Sequence, residues 1–458
     1  MELLLHFAGD TASAIVDAED DNGSTALDYA LKMNEPDCVK MLLEASAYMD
    51  LELMQNIAKW EQGREKWPVI PILTHFLAER RRELLRFATE SLHQGHDLKN
   101  LNVKEGAMIQ EEAFELVQTL LARGVNVPKK FRNVRPGSVY HSAHMNVEMA
   151  ESLFSSGFDH TAVEFLGFTP LMTVDLVALS HRHDAARLLG LDPGALELVD
   201  WFLSHGEDLE KPIPKSAFNP RSGFKDHTQG PRLAHQIASE LGRCLRWPLA
   251  LTGDRCTALL SEILTSPATD SCSCLCAQNG CNAASVFSRQ LWGSIRGSNA
   301  PHGQPALGPE SVRMIMDRLT KRLSGHPGAR QFASSLFRVS TFERLGMSHA
   351  CCRYVENCGR YEGPNNGVTL AILRGEYKIV EIMDPDDVTE IQEEDRYLAR
   401  LLEALVQEFD VKYEESGLSL GDFFRTYWWV RMDEVEAGTK VSMEELEALR
   451  TTGVVLDA

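Results

Sequence analysis

The stretch Asp21-Asn22-Gly23-Ser24-Thr25-Ala26-Leu27-Asp28-Tyr29-Ala30, followed by Val39-Lys40-Met41-Leu42-Leu43-Glu44-Ala45, decides the fold class. Asp21 and Gly23 suit a tight turn, and Thr25 can satisfy backbone donors at a helix start. Leu27 and Ala30, three apart, share one helical face, and Val39, Leu42 and Leu43 form the packing face of a second helix. Just upstream, Leu3-Leu4-Leu5-His6-Phe7-Ala8-Gly9-Asp10 reads as the second helix and exit turn of an earlier unit whose first helix is missing.

The same grammar returns downstream. Phe114 to Asn126, with Leu120-Leu121-Ala122-Arg123-Gly124, reads as another second helix and its turn. Ser138-Val139-Tyr140-His141-Ser142-Ala143 opens the next unit, which Met149 to Asp159 closes; Gly167-Phe168-Thr169-Pro170-Leu171-Met172 opens a further one, ending over Leu196 to Asp208. A last opening, Pro231-Arg232-Leu233-Ala234-His235-Gln236-Ile237-Ala238, follows a polar insertion over 211–230. These units resemble ankyrin repeats: Ser138 to Ala143 stands where Thr-Pro-Leu-His-x-Ala is expected. Thr169 follows Ser138 by 31 residues, against an ankyrin period of about 33. Residues 142–146 and 159–167 depart from the register.

The expected fold is therefore mainly α: an ankyrin-type α-solenoid with degenerate repeats, then an α-helical C-terminal region. The expected divisions are repeats over 1–47, the first one partial, inserted helices over 48–110, degenerate repeats over 111–265, a Cys-rich segment over 266–292, a linker or loop over 293–309 and helices over 310–458. Within the insertion, Ile70, Leu73, Phe76 and Leu77, then Leu84, Leu85 and Phe87, keep helical spacing.

Composition narrows the function. The chain has 46 Lys plus Arg against 66 Asp plus Glu, a formal charge of −20, which repels phosphate backbones and anionic lipid surfaces. Nucleic acid and membrane are not expected partners. Residues 381–450 hold 20 Asp or Glu and 7 Lys or Arg, or −13, so a basic protein would be steered to that end. Met1 to Phe7 lack a basic n-region and turn polar by Gly9-Asp10, unlike a signal peptide. A cytoplasmic or nuclear setting with reduced thiols is expected.

Four of the ten cysteines, Cys272, Cys274, Cys276 and Cys281, fall within ten residues. His349, Cys351 and Cys352, with Cys358 nearby, could close a tetrahedral thiolate–imidazole site, so a four-ligand subset of these two groups is the candidate for structural zinc. The spacing C-x-C-x-C-x4-C is not the usual C-x2-C pair, and buried free thiols or a redox thiol remain alternatives.

From Ile391 onward, Leu398, Leu402, Leu405 and Phe409 share one helical face, and Ser419 with Asp422 reads as a helix start before Phe423 to Met432. That aromatic run reads as a capping helix packed on its neighbours. Ala78-Glu79-Arg80-Arg81-Arg82, Ser138 to His141, Asp270 to Cys274, Thr341-Phe342-Glu343 and the acidic helix before Tyr427-Trp428 together resemble a family of uncharacterised fungal ankyrin-repeat proteins. The resemblance implies the fold and a cytosolic or nuclear setting, and no activity.

The Walker, dinucleotide and H-E-x-x-H patterns are absent from the sequence. His181 and His183 diverge on a helix, and Asp384, Asp386 and Asp387 lack the glycine and glutamate of a calcium loop. The expected function is a protein-interaction scaffold or adaptor without catalysis. The rival is a zinc-dependent enzyme or thiol redox sensor built on Cys272–Cys281 and His349–Cys352.

Overall fold

The computed structural model describes residues 15–21, 23–45, 47–49, 68–92, 110–132, 134, 137–141, 145–174, 176, 193–214, 230–244, 254–295, 319, 321, 323, 328–351, 353–354, 380–381 and 383–439. Leu3–Asp10, His181–Asp184, Cys352 and Cys358 lie outside them.

The opening stretch folds as its residues dictate. Helix α1 (Ala26–Lys32) starts in a capping box: the Thr25 hydroxyl accepts from the Asp28 N–H (3.2 Å) while the Asp28 carboxylate accepts from the Thr25 N–H (2.8 Å). The turn before it is closed by Asp20 rather than Asp21. The Asp20 carbonyl accepts from the Gly23 N–H and its side chain from the Ser24 N–H, each at 2.9 Å. Helix α2 (Pro36–Glu44) buries Val39, Leu42 and Leu43 against α1.

Helix α3 (Val69–Ser91) continues the outer layer between α2 and α6 (Val147–Ser155). Its first half, with Val69, Ile70, Leu73 and Leu77, joins the main core. Leu84 and Ala88 instead form a second core with Leu116, Val117 and Leu120 of α4 (Gln110–Ala122) and with Phe131 of the short α5 (Lys129–Arg132). The short α7 (Pro170–Thr173) and α8 (Pro193–Ser204) form the next unit, followed by α9 (Leu233–Cys244) with α10 (Asp254–Leu264).

The array does not stop there. Helix α11 (Ala283–Ile295) packs along α9, and α12 (Ala329–Arg344) packs on α11. Helix α11 thus runs three residues into the stretch expected to be a linker; the rest of that stretch lies outside the described residues. The exit of α12 repeats the exits of earlier second helices. The N–H of Val125, Phe158, Glu207 and Met347 bonds back to the carbonyl of Leu120, Leu153, Phe202 and Phe342, at 3.0, 3.2, 3.1 and 3.3 Å. Each time a glycine with positive φ precedes the donor, the residue that best tolerates this helix stop.

The C-terminal helices cap this last unit. A two-residue antiparallel pair, β1 (Arg353–Tyr354) with β2 (Val380–Glu381), precedes α13 (Pro385–Glu394). Asp384 caps α13 by accepting from the Asp386 N–H at 2.9 Å, a helix-cap role in keeping with the absence of a calcium-loop pattern. Helix α14 (Arg396–Ser416) buries Leu402, Leu405, Val406 and Phe409, and Ser419 caps α15 (Leu420–Phe423) through the Asp422 N–H at 3.1 Å. A π-turn (Phe424–Trp428) leads into α16 (Trp429–Thr439). Phe424, Trp428 and Met432 are buried, and the Trp428 indole N–H donates to Thr341 Oγ1 of α12 at 3.1 Å. Most of the aromatic run is core, in line with the capping reading.

Candidate metal centre

The cysteine-rich segment is a long hairpin tip within the array. Thr269 bridges Asn282, as Phe165 bridges Phe168 and Pro212 bridges Arg232 at earlier unit starts. Asn282 then caps α11, its side-chain oxygen accepting from the Ser285 N–H at 2.8 Å. Where Leu166 and Gly167 make a tight turn, residues 270–281 carry the four cysteines. The Asp270 Oδ1 organises this loop, accepting from the N–H of Cys272 (3.0 Å) and of Cys281 (2.7 Å). Gly280, at φ +90°, lets the chain pass against the Asp270 carbonyl, which a Cβ there would meet at 1.8 Å.

The facing wall is the exit of α12. His349 and Cys351 come over the loop so that ligand atoms of Cys274, Cys276, His349 and Cys351 all lie within 4.8 Å of one another; Cys272, Cys281 and Cys351 form a second such group. Four of the separations suit a tetrahedron. Metal–sulfur bonds of about 2.3 Å and metal–nitrogen bonds of about 2.0 Å put neighbouring sulfurs about 3.8 Å apart and sulfur and nitrogen about 3.5 Å apart. The cluster has Cys274 Sγ to His349 Nδ1 at 3.8 Å, Cys351 Sγ to His349 Nδ1 at 3.5 Å, Cys281 to Cys351 at 3.7 Å and Cys276 to Cys281 at 3.9 Å. None of these is a disulfide contact. Two of these separations lie within the set Cys274, Cys276, His349 and Cys351, whose three thiols and one imidazole are donors that zinc takes; Cys276 Sγ and Cys351 Sγ in that set stand closer, at 3.1 Å.

Outer partners hold the wall in place. Glu343 Oε1 lies 2.6 Å from His349 Nε2, which leaves Nδ1 turned to the sulfurs, the carboxylate–histidine arrangement that orients metal-bound imidazoles. Phe342 packs on the His349 ring at 4.5 Å. Arg338 Nε donates to the Leu275 carbonyl at 2.9 Å and its guanidinium forks onto Glu403 of α14. Gln392 donates to the Ser273 carbonyl at 2.8 Å, and Asp395 accepts from the Ser348 N–H at 2.9 Å. The centre therefore joins the array to its acidic helical cap.

The thiols of the cluster perturb one another. Hydrogen bonds from Cys276, then Cys351, hold the Cys274 thiol well below its ordinary range, and the same contact with Cys274 pushes Cys276 up. Hydrogen bonding to Cys272 raises Cys281, and burial raises Cys351. Burial and mutual contact thus oppose ionisation of Cys276, Cys281 and Cys351, an opposition that a positive charge among the sulfurs would relieve.

Of the residues expected to bind metal, the structure gathers Cys272, Cys274, Cys276, Cys281, His349 and Cys351, while Cys352 lies outside the described residues. Glu343, Arg338, Glu403 and Asp270 were not assigned from sequence. No local spacing marks Arg338 or Glu403, which reach the centre from separate helices. Asp270, by contrast, stands beside the first cysteine at the start of the tip.

An ankyrin-repeat family profile matches residues 22–52, the segment of α1 and α2. No curated protein matches the chain, and no solved structure does. The candidate metal centre lies outside the matched segment.

Proposed function

We propose that this chain is a protein-interaction scaffold, an ankyrin-type array whose thiolate–imidazole centre is structural and ties the array to its C-terminal cap. The observation that carries this reading is apolar exposure on array surfaces. Tyr29 and Met33 of the matched repeat are 47% and 61% exposed, and Leu166 at a hairpin turn is 51% exposed. Stacked helix pairs meet partners through their hairpin tips and first helices. The acidic α13–α16 face would steer a basic protein toward the cap. The wider likeness to fungal ankyrin-repeat proteins agrees with this reading and adds no activity to it.

The rival, a zinc-dependent enzyme or thiol redox sensor, needs an open coordination position or an accessible thiolate. Cys274, Cys276, Cys281 and Cys351 are each at most 2% exposed, which favours a closed structural site. A cytoplasmic or nuclear setting suits the reduced thiols. Among the described residues no helix is long and apolar enough to cross a membrane.

The test is partner capture by the intact chain, by a variant carrying Tyr29→Glu, Met33→Glu and Leu166→Asp, and by one carrying Val411→Glu and Val430→Glu on the cap. Loss of the captured protein in the first variant alone supports the array surface. Loss only in the second relocates binding to the cap, and a folded chain that captures nothing specific removes the scaffold reading.

A further inference from the structure

We propose that the centre holds two zinc ions, bridged by the thiolates of Cys276 and Cys351. Cys274 and His349 complete the first ion, and Cys272 and Cys281 complete the second. The inference rests on the cluster being a metal centre and deepens that reading.

A single ion leaves two facts unexplained. It uses Cys274, Cys276, His349 and Cys351, yet Cys272 and Cys281 converge on the same Cys351 sulfur within 4.8 Å. The backbone holds those two together, since both of their N–H groups bind the one Asp270 oxygen. Two side chains fixed as a pair on one side of Cys351 form half a coordination shell, as Cys274 and His349 do on the other.

The second fact is one separation that does not suit a tetrahedral edge. Cys276 Sγ and Cys351 Sγ are 3.1 Å apart. With metal–sulfur bonds of about 2.3 Å that distance needs an angle at the metal of about 85°, far below tetrahedral. Such an angle is natural in a four-membered ring of two metals and two bridging sulfurs, where the ions then sit about 3.4 Å apart, close to the spacing of known two-metal sites. The longer separations fall where this ring places them. Cys281 lies 3.9 Å from Cys276 and 3.7 Å from Cys351, as a terminal ligand to the second ion. His349 lies 3.5 Å from Cys351 and 3.8 Å from Cys274, as a terminal ligand to the first.

Five thiols lose five protons to solvent, and five thiolates with two divalent ions leave one net negative charge. Soft sulfur donors, one imidazole and tetrahedral edges select zinc, with no redox change on binding. Protein sulfurs fill both bridging positions, so there is no place for inorganic sulfide between the metals.

The deciding measurement is zinc per chain on the intact protein after dialysis against a weak chelator, read by elemental analysis against quantitative amino-acid analysis. X-ray absorption at the zinc edge accompanies it. Two ions per chain with a metal–metal distance of about 3.4 Å is the expected result. One ion per chain with no such distance overturns the bridged pair and leaves the single-ion centre standing. No retained zinc overturns both, and a visible chromophore with acid-labile sulfide overturns the all-protein bridge. Cys272→Ser should lower the count from two to one, whereas Cys276→Ser should lose both. Because the count on the unaltered chain decides by itself, a variant that fails to fold does not shelter the proposal.

Discussion

His235 holds the carbonyl of Cys281 at 2.9 Å through Nε2 while its Nδ1 accepts from the Arg232 N–H at 2.9 Å. His141 stands in the same relation to Phe168 and Ser138, both at 3.0 Å. The imidazole of one unit thus clasps the hairpin of the next, and the cysteine loop is clasped as an ordinary hairpin would be. Both rings are neutral, because burial lowers each to about 4, against weaker opposing backbone hydrogen bonds.

Acid should therefore weaken the array. A histidine lowered from 6.5 to about 4 contributes stability that is present above pH 6.5 and lost as pH falls toward 4. For His141 the loss is about 3 kcal/mol. Urea midpoints measured from pH 7 to pH 4 should fall, and His141→Ala should start about 2 kcal/mol lower at pH 7 with a shallower decline.

Glu207 acts in the opposite sense. Burial raises it from 4.5 to about 7, outweighing the hydrogen bond from the Leu171 N–H. A raised carboxyl contributes stability that is present below pH 4.5 and lost as pH rises through 7. Glu207→Gln should match the parent near pH 4 and exceed it at pH 8 by about 2–3 kcal/mol. Equal thermal midpoints at pH 8 would refute this.

Glu343→Gln keeps the shape beside His349 but removes the charge that orients it. Zinc affinity, measured by competition with a chromophoric chelator, should fall roughly 10–100-fold, with helical content unchanged at saturating zinc. An unchanged affinity would show that Glu343 does not support the ligand.

Gly242 lets α9 and α11 touch. A Cβ there would sit 2.5 Å from the Phe287 carbonyl and 2.8 Å from the Gln290 Cβ, so Gly242→Ala should cost about 3 kcal/mol. The readout is the denaturant midpoint, and a change below about 1 kcal/mol would mean the two helices separate freely.

What was legible depended on how local the cause was. The α1 capping box, the α2 packing face and the Ser419 cap each lie within a few residues, and the sequence displays them. The continuation into α11 and α12 was hidden. Twelve residues (270–281) stand where a tight turn would otherwise announce a new unit, and Asn282 replaces the usual threonine–proline opening. The exit glycine Gly346 carried the missing signal, since it repeats Gly124, Gly157 and Gly206, but a lone glycine after a helix is too common to read alone.

The sequence by itself determined a helical ankyrin-type chain, an acidic C-terminal end and two cysteine groups able to bind metal, because periodicity, charge and residue chemistry are properties of the chain. Only the tertiary structure decided that the groups form one centre, that Glu343 orients His349, and that Arg338 and Glu403 tie it to the cap. Except for Glu343 and His349, six positions apart, those relations join residues tens of positions apart. Which sulfur meets which is set by how α9, α11, α12 and α14 pack, and that packing follows from burying apolar faces rather than from the spacing of the ligands.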